Sequence, residues 1–297
     1  MGTASERTSN SAPETADGPA TLRRIAEGIV VEAAEHLRGL PRPWDETAAG
    51  SADVARDGVM TKSTRTDVVT ASDHALESLI RARLAVLRPA DAVVGEEQGG
   101  ARAATDTVWV IDPIDGTVNF LYGLPWYAIS LAAVQDGSTV AGAVLEPESR
   151  RLWSAARDGG ATCDGRRLRV SGTTELELTM LATGFSYSAQ RRTRQINMIS
   201  GMLPHVRDVR RAGSAALDLC AVAAGWVDGY IEHGSNWWDW AAAALIATEA
   251  GAVVRVPGPT GSVPPVDGLG PDAVLAATPG IADELAELAR RHGAAQV

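Results

Sequence analysis

Residues 109–120 read WVIDPIDGTVNF. An apolar run breaks into two aspartates, Asp112 and Asp115, around Pro113 and Ile114, and then into Gly116-Thr117. The run belongs to VWVI, a β-branched and aromatic stretch of the kind that forms a buried strand. Asp112 then falls at the carboxyl end of a strand, where open sheets place their ligands. Pro113 fixes the backbone directly after it, and the Ile114 carbonyl can turn towards the same point as the two carboxylates. Gly116 and Thr117 add N–H groups that can cradle a phosphate if a turn or helix begins there. Two carboxylates at this spacing also suit an N-cap or an Asx turn, so the stretch alone leaves both readings open.

Other carboxylates raise the same question. Upstream, VVGEEQGG sets Glu96 and Glu97 directly after a second strand end, as solvated charge or as ligands. Far downstream, NWWDWAAA puts Asp239 at a helix start in apolar surroundings, as a cap or as a ligand. In KSTRTDVVTASD, Asp67 and Asp73 bracket a Val-Val-Thr piece, and Asp73 suits the N-terminus of the helix that follows. Converging carboxylates repel one another when desolvated, and a doubly charged cation is a strong reason to gather them. All-oxygen ligation selects Mg²⁺ or Mn²⁺ over zinc or copper. Other chemistries lack their signatures. GFSYS is not GxSxG, the 5 histidines show no HxxH or HExxH pattern, and the 2 cysteines form no CxxC. His233, beside Glu232, reads as a structural or rim residue.

Around these segments, periodicity predicts the elements. Leu22, Ile25, Ile29, Ala33 and Leu37 mark one helical face, ended by PRPWDETAAG. Residues 57–73 read as loop and short extended pieces. Leu76, Leu79, Ile80, Leu84 and Leu87 form a second helical stripe closed by Pro89. AISLAAVQDGSTVAGAVLEP reads as two strands around Asp136-Gly137, and residues 151–170 as further antiparallel strands. Later come a helix in SAALDLCAVAAG with Ser214 as its N-cap, a strand in WVDGYIE and a helix in DWAAAALIATEAGA. A last strand, AVLAATP, precedes a last helix, IADELAELARRHG, and VPGPTGSVPP reads as a surface loop. Antiparallel strands early and alternating strand and helix late predict α+β joined to α/β. The division expected is a tail over 1–19, an N-terminal half over 20–175 with most metal ligands, and a C-terminal half over 176–297.

Composition narrows the class. The chain has 297 residues, 45% hydrophobic and 22% charged, enough for a large core. No apolar run reaches the roughly 18 residues of a membrane helix. The opening residues lack the basic start and apolar core of a signal peptide and read as a disordered tail. Two separated cysteines fit a reducing cytoplasm. A net charge of −10 disfavours nucleic acid and anionic membranes and suits the collection of divalent cations. One basic cluster runs against it: Arg191, Arg192, Arg194, Arg207, Arg210 and Arg211. It reads as a solvated face or subunit contact, or as a steering patch for a phosphorylated substrate.

Taken together, GEE, DPIDGTVNF, WDWAAA and KxxxxDxVTxxD occur in the order and approximate spacing of the inositol monophosphatase family of Mg²⁺-dependent phosphatases. The chain resembles that family over roughly residues 22–290, most closely its bacterial SuhB-type members at VRDVRRAGSAALDLC and YIEHG. The resemblance implies a layered αβαβα sandwich and hydrolysis of myo-inositol 1-phosphate or a related inositol monophosphate. Two or three Mg²⁺ ions per site are implied, with Mn²⁺ as a substitute, together with lithium sensitivity and a homodimer. Glu96, Asp112 and the Ile114 carbonyl would bind one ion, and Asp112 would bridge to a second held by Asp115 and Asp239. Glu96, Thr117 and Asp73 would orient the attacking water, with Asp73 bonded to the Thr117 hydroxyl. Gly116 and Thr117 would hold phosphate oxygens, and Asp115, Ala215 and Glu232 would contact the polyol. Lys62, Asp67 and Glu97 would line the side of a third ion and a mobile loop. Two departures bear on the pocket: Trp237 and Trp240 are larger than a small-polyol site suggests, and Asn236 stands where substrates differ. Histidinol phosphate, another sugar or cyclitol phosphate, or a SuhB-like regulatory role remain as alternatives.

Overall fold

The computed structural model describes residues 17–40, 42, 59–61, 68–100, 106–258 and 268–297. Lys62, Asp67, residues 1–16 of the expected tail and residues 259–265 of the expected loop lie outside the described residues. In chain order the elements begin with α1 (Pro19–Gly39), β1 (Val59–Thr61), β2 (Val68–Thr70), α2 (Ala71–Leu87), β3 (Ala92–Gly95), β4 (Val108–Asp115) and α3 (Thr117–Tyr122). There follow β5 (Ala128–Gln135), β6 (Ser138–Glu146), β7 (Arg151–Ala156), β8 (Gly160–Cys163), β9 (Arg166–Arg167) and β10 (Met180–Thr183). The remainder comprises α4 (Ala189–Met202), β11 (Asp208–Arg210), α5 (Ala215–Ala223), β12 (Gly229–His233), α6 (Trp237–Glu249), β13 (Val253–Arg255), β14 (Ala273–Ala277) and α7 (Ala282–Arg291).

Two sheets alternate with three helical layers. The larger sheet runs β3-β4-β5-β6-β7-β8-β9; β3 and β4 are parallel and the rest antiparallel. Strand alternation gives it two apolar faces. Trp109, Ile111, Ile129, Leu131 and Ala133 face α1 and α2, where they meet Leu22, Ile29, Leu76 and Ile80. Val110, Ala132, Val134, Val144 and Trp153 face α5 and α6 on the other side. A second sheet, β11-β10-β12-β14-β13, covers those helices with Ala182, Tyr230, Val274 and Ala276. Its outer face, through Leu181, Ile231 and Leu275, packs on α4 and α7. The chain is thus the αβαβα sandwich that the resemblance implies. Burial of one large aliphatic side chain is worth about 1.5–3 kcal/mol, so these stripes fix the layer order.

Local chemistry sets the joints that matter. Gly142 on β6 lets α6 approach: a Cβ there would lie 2.9 Å from the Ala242 Cα. Asp136 and Gly137, at φ 50 and φ 72, make the β5–β6 turn, since a two-residue hairpin needs left-handed backbone at both positions. Thr70 and Asp73 form a capping box that starts α2. Helix α4 and strands β10 and β11 are not among the elements that periodicity suggests. The buried residues of α4 are Gln195, Met198, Ile199 and Met202, a helical spacing with a polar residue at its head. The expected strand VWVI also continues past Ile111 to Asp115.

Candidate active site

The carboxyl ends of parallel strands from both sheets open on one cleft of about 540 Å³. Glu96 follows β3, and its N–H extends the ladder to the Ile111 carbonyl at 3.2 Å. Asp112 and Asp115 lie on β4 with odd separation, which in a regular strand sends side chains to opposite faces. A bulge prevents that. Asp112 pairs with Ser130 and Asp115 with Ala128, so β4 carries one residue more than β5 between them. Pro113, which has no N–H to donate, lies within the bulge, and both carboxylates and Ile114 line the cleft.

Carboxylate oxygens of Glu96, Asp112 and Asp239 all lie within 4.8 Å of one another. Asp239 stands in the first turn of α6, where the Asn236 N–H donates to its Oδ2 at 2.6 Å. Asp112 Oδ1 is buried and has no hydrogen-bond partner among the described residues. Burial, then the charges of Glu96, Asp115 and Asp239, holds the Asp112 carboxyl well above its ordinary range. Burial and the charges of Glu96 and Asp115 do the same for Asp239. An orphaned buried oxygen among mutually repelling carboxylates, in an all-oxygen donor set, fits a hard divalent cation. Asp115 lies outside that trio. Its Oδ2 accepts from the Ser214 hydroxyl at 2.5 Å and the Ala216 N–H at 2.7 Å, at the start of α5. Burial pushes its carboxyl up to about 7. Ser214 is the expected N-cap and accepts from the Leu217 N–H at 3.2 Å, so one hydroxyl both caps α5 and holds Asp115.

Thr117 begins α3. Its hydroxyl lies 3.2 Å from Asp73 Oδ1 and 3.0 Å from the Ile114 carbonyl. Asp73 is fully buried behind it, and burial lifts its carboxyl to about 7 against the opposing bonds from Thr70. Gly116, at φ 93, turns the chain into α3, and a Cβ there would sit 3.1 Å from the Trp126 carbonyl. Across the cleft, Glu232 Oε2 accepts from the fully buried Tyr230 hydroxyl at 2.7 Å. Gly184 makes room for it: a Cβ there would overlap that carboxylate at 1.9 Å. Ala215 lines the same wall. Glu97 is bound through its backbone, not gathered into the carboxylate trio, and does not line the cleft.

Of the tryptophans, Trp238 lines the cleft, whereas Trp240 is buried in the core and Trp237 packs partly buried against it. Asn236 also lines the cleft. His233 is buried with Nε2 on the Leu269 carbonyl at 2.8 Å, and burial holds its imidazole below the ordinary range. The arginine cluster is largely consumed internally. Arg191 pairs with Asp272, Arg192 reaches the Ser186 carbonyl, Arg194 the Val297 carbonyl and Arg210 pairs with Asp208, while Arg211 lines the cleft.

Sequence reasoning passed over Glu77, Gln195 and Asp218. Glu77 is fully buried, pairs with Arg81 at 2.7 Å and accepts from the N–H groups of Glu97 at 2.7 Å and Gln98 at 3.1 Å. It therefore pins the loop that carries Glu96. Its signal was a glutamate within the Leu76–Ile80 apolar stripe, four residues after Asp73. Asp218 lines the cleft one turn into α5, and burial together with Glu232 and Asp115 raises its carboxyl well above the ordinary range.

A family model described as "Inositol monophosphatase family" matches residues 20–294. The chain belongs to the inositol monophosphatase family. That membership places it among hydrolases of phosphate monoesters. An inositol-1-monophosphatase of Mycobacterium leprae is 50% identical over 289 residues, 94% of this chain and 97% of that protein. The structure of Mycobacterium tuberculosis SuhB superposes with a TM-score of 0.77 at 42% identity, covering 95% of this chain and 100% of the other. A protein named Nus factor SuhB from Escherichia coli is 43% identical over 190 residues, 63% of this chain and 71% of its own length. Among the described residues no helix is long and apolar enough to cross a membrane.

Proposed function

We propose that the chain is a Mg²⁺-dependent phosphomonoesterase that hydrolyses myo-inositol 1-phosphate, or a related inositol monophosphate, to inositol and phosphate. The observation that carries this is the convergence of Glu96, Asp112 and Asp239 around the orphaned Asp112 Oδ1, in a cleft whose far wall carries Glu232. Those three, with the Ile114 carbonyl and Asp115, would hold two ions. Bound Mg²⁺, or Mn²⁺ in its place, supplies Lewis-acid charge that acidifies water and neutralises the departing oxygen. The Thr117 hydroxyl, held between Asp73 and Ile114, and Glu96 orient the attacking water. The N–H groups of Gly116 and Thr117 receive phosphate oxygens at the start of α3. Asp115, Ala215 and Glu232 face the polyol, and Glu232, fixed by Tyr230, accepts its hydroxyls. A second phosphate beside Glu232 would be repelled, which favours a substrate carrying a single phosphate.

The test is phosphate release with Mg²⁺ from myo-inositol 1-phosphate, histidinol phosphate, fructose 1,6-bisphosphate and 3′-phosphoadenosine 5′-phosphate. Preference for inositol phosphate is the expected result, and preference for another member overturns the substrate while leaving the ion site in place. Lithium chloride titrated into the same assay inhibits it. The likeness to proteins named Nus factor SuhB raises a regulatory reading, but the carboxylates a phosphatase needs are all present here. A net charge of −10 also disfavours direct RNA binding. A cytoplasmic homodimer completes the reading. Two free cysteines support the compartment, family resemblance supports the dimer, and light scattering checks the latter.

A further inference from the structure

Two segments line the part of the cleft that carries Glu232. One follows β10 (residues 184–188) and the other runs from the end of β12 (residues 232–236). Strands β10 and β12 are parallel neighbours whose last rung pairs Thr183 with Ile231. Beyond that rung β10 ends while β12 continues to His233 against β14, so the distance of residues 184–188 from β12 is set by something other than the β10–β12 ladder. Gln195 spans the gap from α4. It is 1% exposed, its Oε1 accepts from the Ser186 N–H at 2.7 Å, and its Nε2 donates to the His233 carbonyl at 3.0 Å. The amide thus serves as an artificial rung between the two strands, satisfying one donor and one acceptor that the sheet no longer pairs. Arg192, on the preceding turn of α4, donates from Nε to the Ser186 carbonyl at 2.9 Å, so α4 grips that residue through both backbone groups.

We infer that Gln195 is a positioning residue for substrate selection, setting the width of the polyol side of the cleft without touching substrate or metal. The inference rests on the phosphomonoesterase reading above. Glu232 and His233 are the last residues of β12 and pair with Val274 and Ala273 of β14, so the sheet holds that carboxylate and the bridge fixes where residues 184–188 stand relative to it. Gln195 hydrogen-bonds none of the residues proposed to hold phosphate and ions; the Asn236 N–H ties Asp239 to the β12 segment, and that segment stays paired with β14 when the bridge is lost. Loosening the bridge therefore affects recognition of the alcohol and leaves handling of the phosphate unchanged.

The experiment compares wild type, Q195L and R192Q on two substrates, the polyol phosphate that wild type turns over best and p-nitrophenyl phosphate, whose alcohol makes no polyol contacts. Q195L removes both bonds at similar volume. R192Q removes the outer grip on Ser186 and a longer bond to the Tyr187 carbonyl and leaves the core intact, so it reports even if Q195L folds poorly. The expected result is a rise in polyol KM of about tenfold for Q195L and about threefold for R192Q, with kcat held. KM for p-nitrophenyl phosphate and the Mg²⁺ activation midpoint stay within about twofold of wild type. Equal KM changes on both substrates, a shifted Mg²⁺ midpoint, an unchanged polyol KM in a folded Q195L, or an unchanged polyol KM in R192Q where Q195L does not fold overturns the inference. A wrong substrate in the earlier reading shows in the wild-type panel alone, whereas a wrong role for Gln195 shows only in the variants' ratio of the two KM values.

Discussion

The Glu77 carboxylate occupies the space that a side chain at Gly95 would need: a Cβ there would lie 2.2 Å from its Oε1 and 2.4 Å from its Cδ. This contact couples α2 to the loop that carries Glu96. Ordinarily the tip of a glutamate could swing away, but Arg81 and two backbone N–H groups hold this one in place. E77A leaves those N–H groups without their acceptor, at about 1–3 kcal/mol of stability, and frees the Glu96 loop. The Mg²⁺ activation midpoint is expected to rise together with the loss seen in chemical denaturation. An unchanged midpoint would show that Glu77 serves the fold alone.

Ion-free protein is expected to lose stability as pH rises. Burial places Asp73 and Asp115 at about 7 in the folded state, and Asp112 and Asp239 are raised as well. Raised carboxyls bind more protons folded than unfolded, so their contribution is complete below the unfolded value and is lost as pH climbs through the folded one. In the proposed ion site Mg²⁺ would replace the lost protons as counter-charge. Thermal melts in EDTA and in Mg²⁺ should therefore diverge more at about pH 8 than at about pH 5.5. A gain from Mg²⁺ that shrinks towards alkaline pH contradicts the assignment.

D112N separates stability from activity. It removes the charge most crowded by Glu96, Asp115 and Asp239 and offers them an amide donor. The ion-free variant is expected to gain about 1–2 kcal/mol while phosphate release falls by about 10³-fold or more. Denaturant titration and the phosphate assay read the two effects, and a destabilised, active D112N would remove Asp112 from the ion site.

Substitution at Gly142 tests how the core positions Asp239. A Cβ there would lie 2.9 Å from the Ala242 Cα and 3.0 Å from its Cβ, so G142V pushes α6 away from the sheet. Overpacking of this kind costs about 1–3 kcal/mol. Because Asp239 rides on the first turn of α6, the Mg²⁺-dependent gain in melting temperature should shrink as well. A full gain on a lowered baseline would show that the carboxylate site tolerates movement of α6.

Much of the chemistry could be read directly from residue strings. The α1 and α2 stripes, the Asp136-Gly137 hairpin and the Ser214 cap follow from local rules of periodicity and backbone preference. The types of the residues proposed for the ion site were likewise evident in GEE, DPIDGT and WD. Helix α4 was not, because its buried face is headed by Gln195 among arginines, and periodicity weighs only apolar residues. Trp240 could not be told from a pocket residue, since whether an aromatic lines a cleft or fills a core depends on the layer behind it.

The sequence by itself determined which atoms are available: oxygen donors in quantity, no nucleophile motif, and glycines where side chains would intrude. Tertiary structure decided where those atoms point. The bulge between Asp112 and Asp115 brings both onto one cleft, although simple alternation would separate them, and it exists only through pairing with β5. Gln195 and Glu77 acquire their roles from backbone groups 38 and 20 residues away. Local patterns encode the propensity of single elements. The spacing between loops is a property of what packs beneath them, and no local pattern carries it.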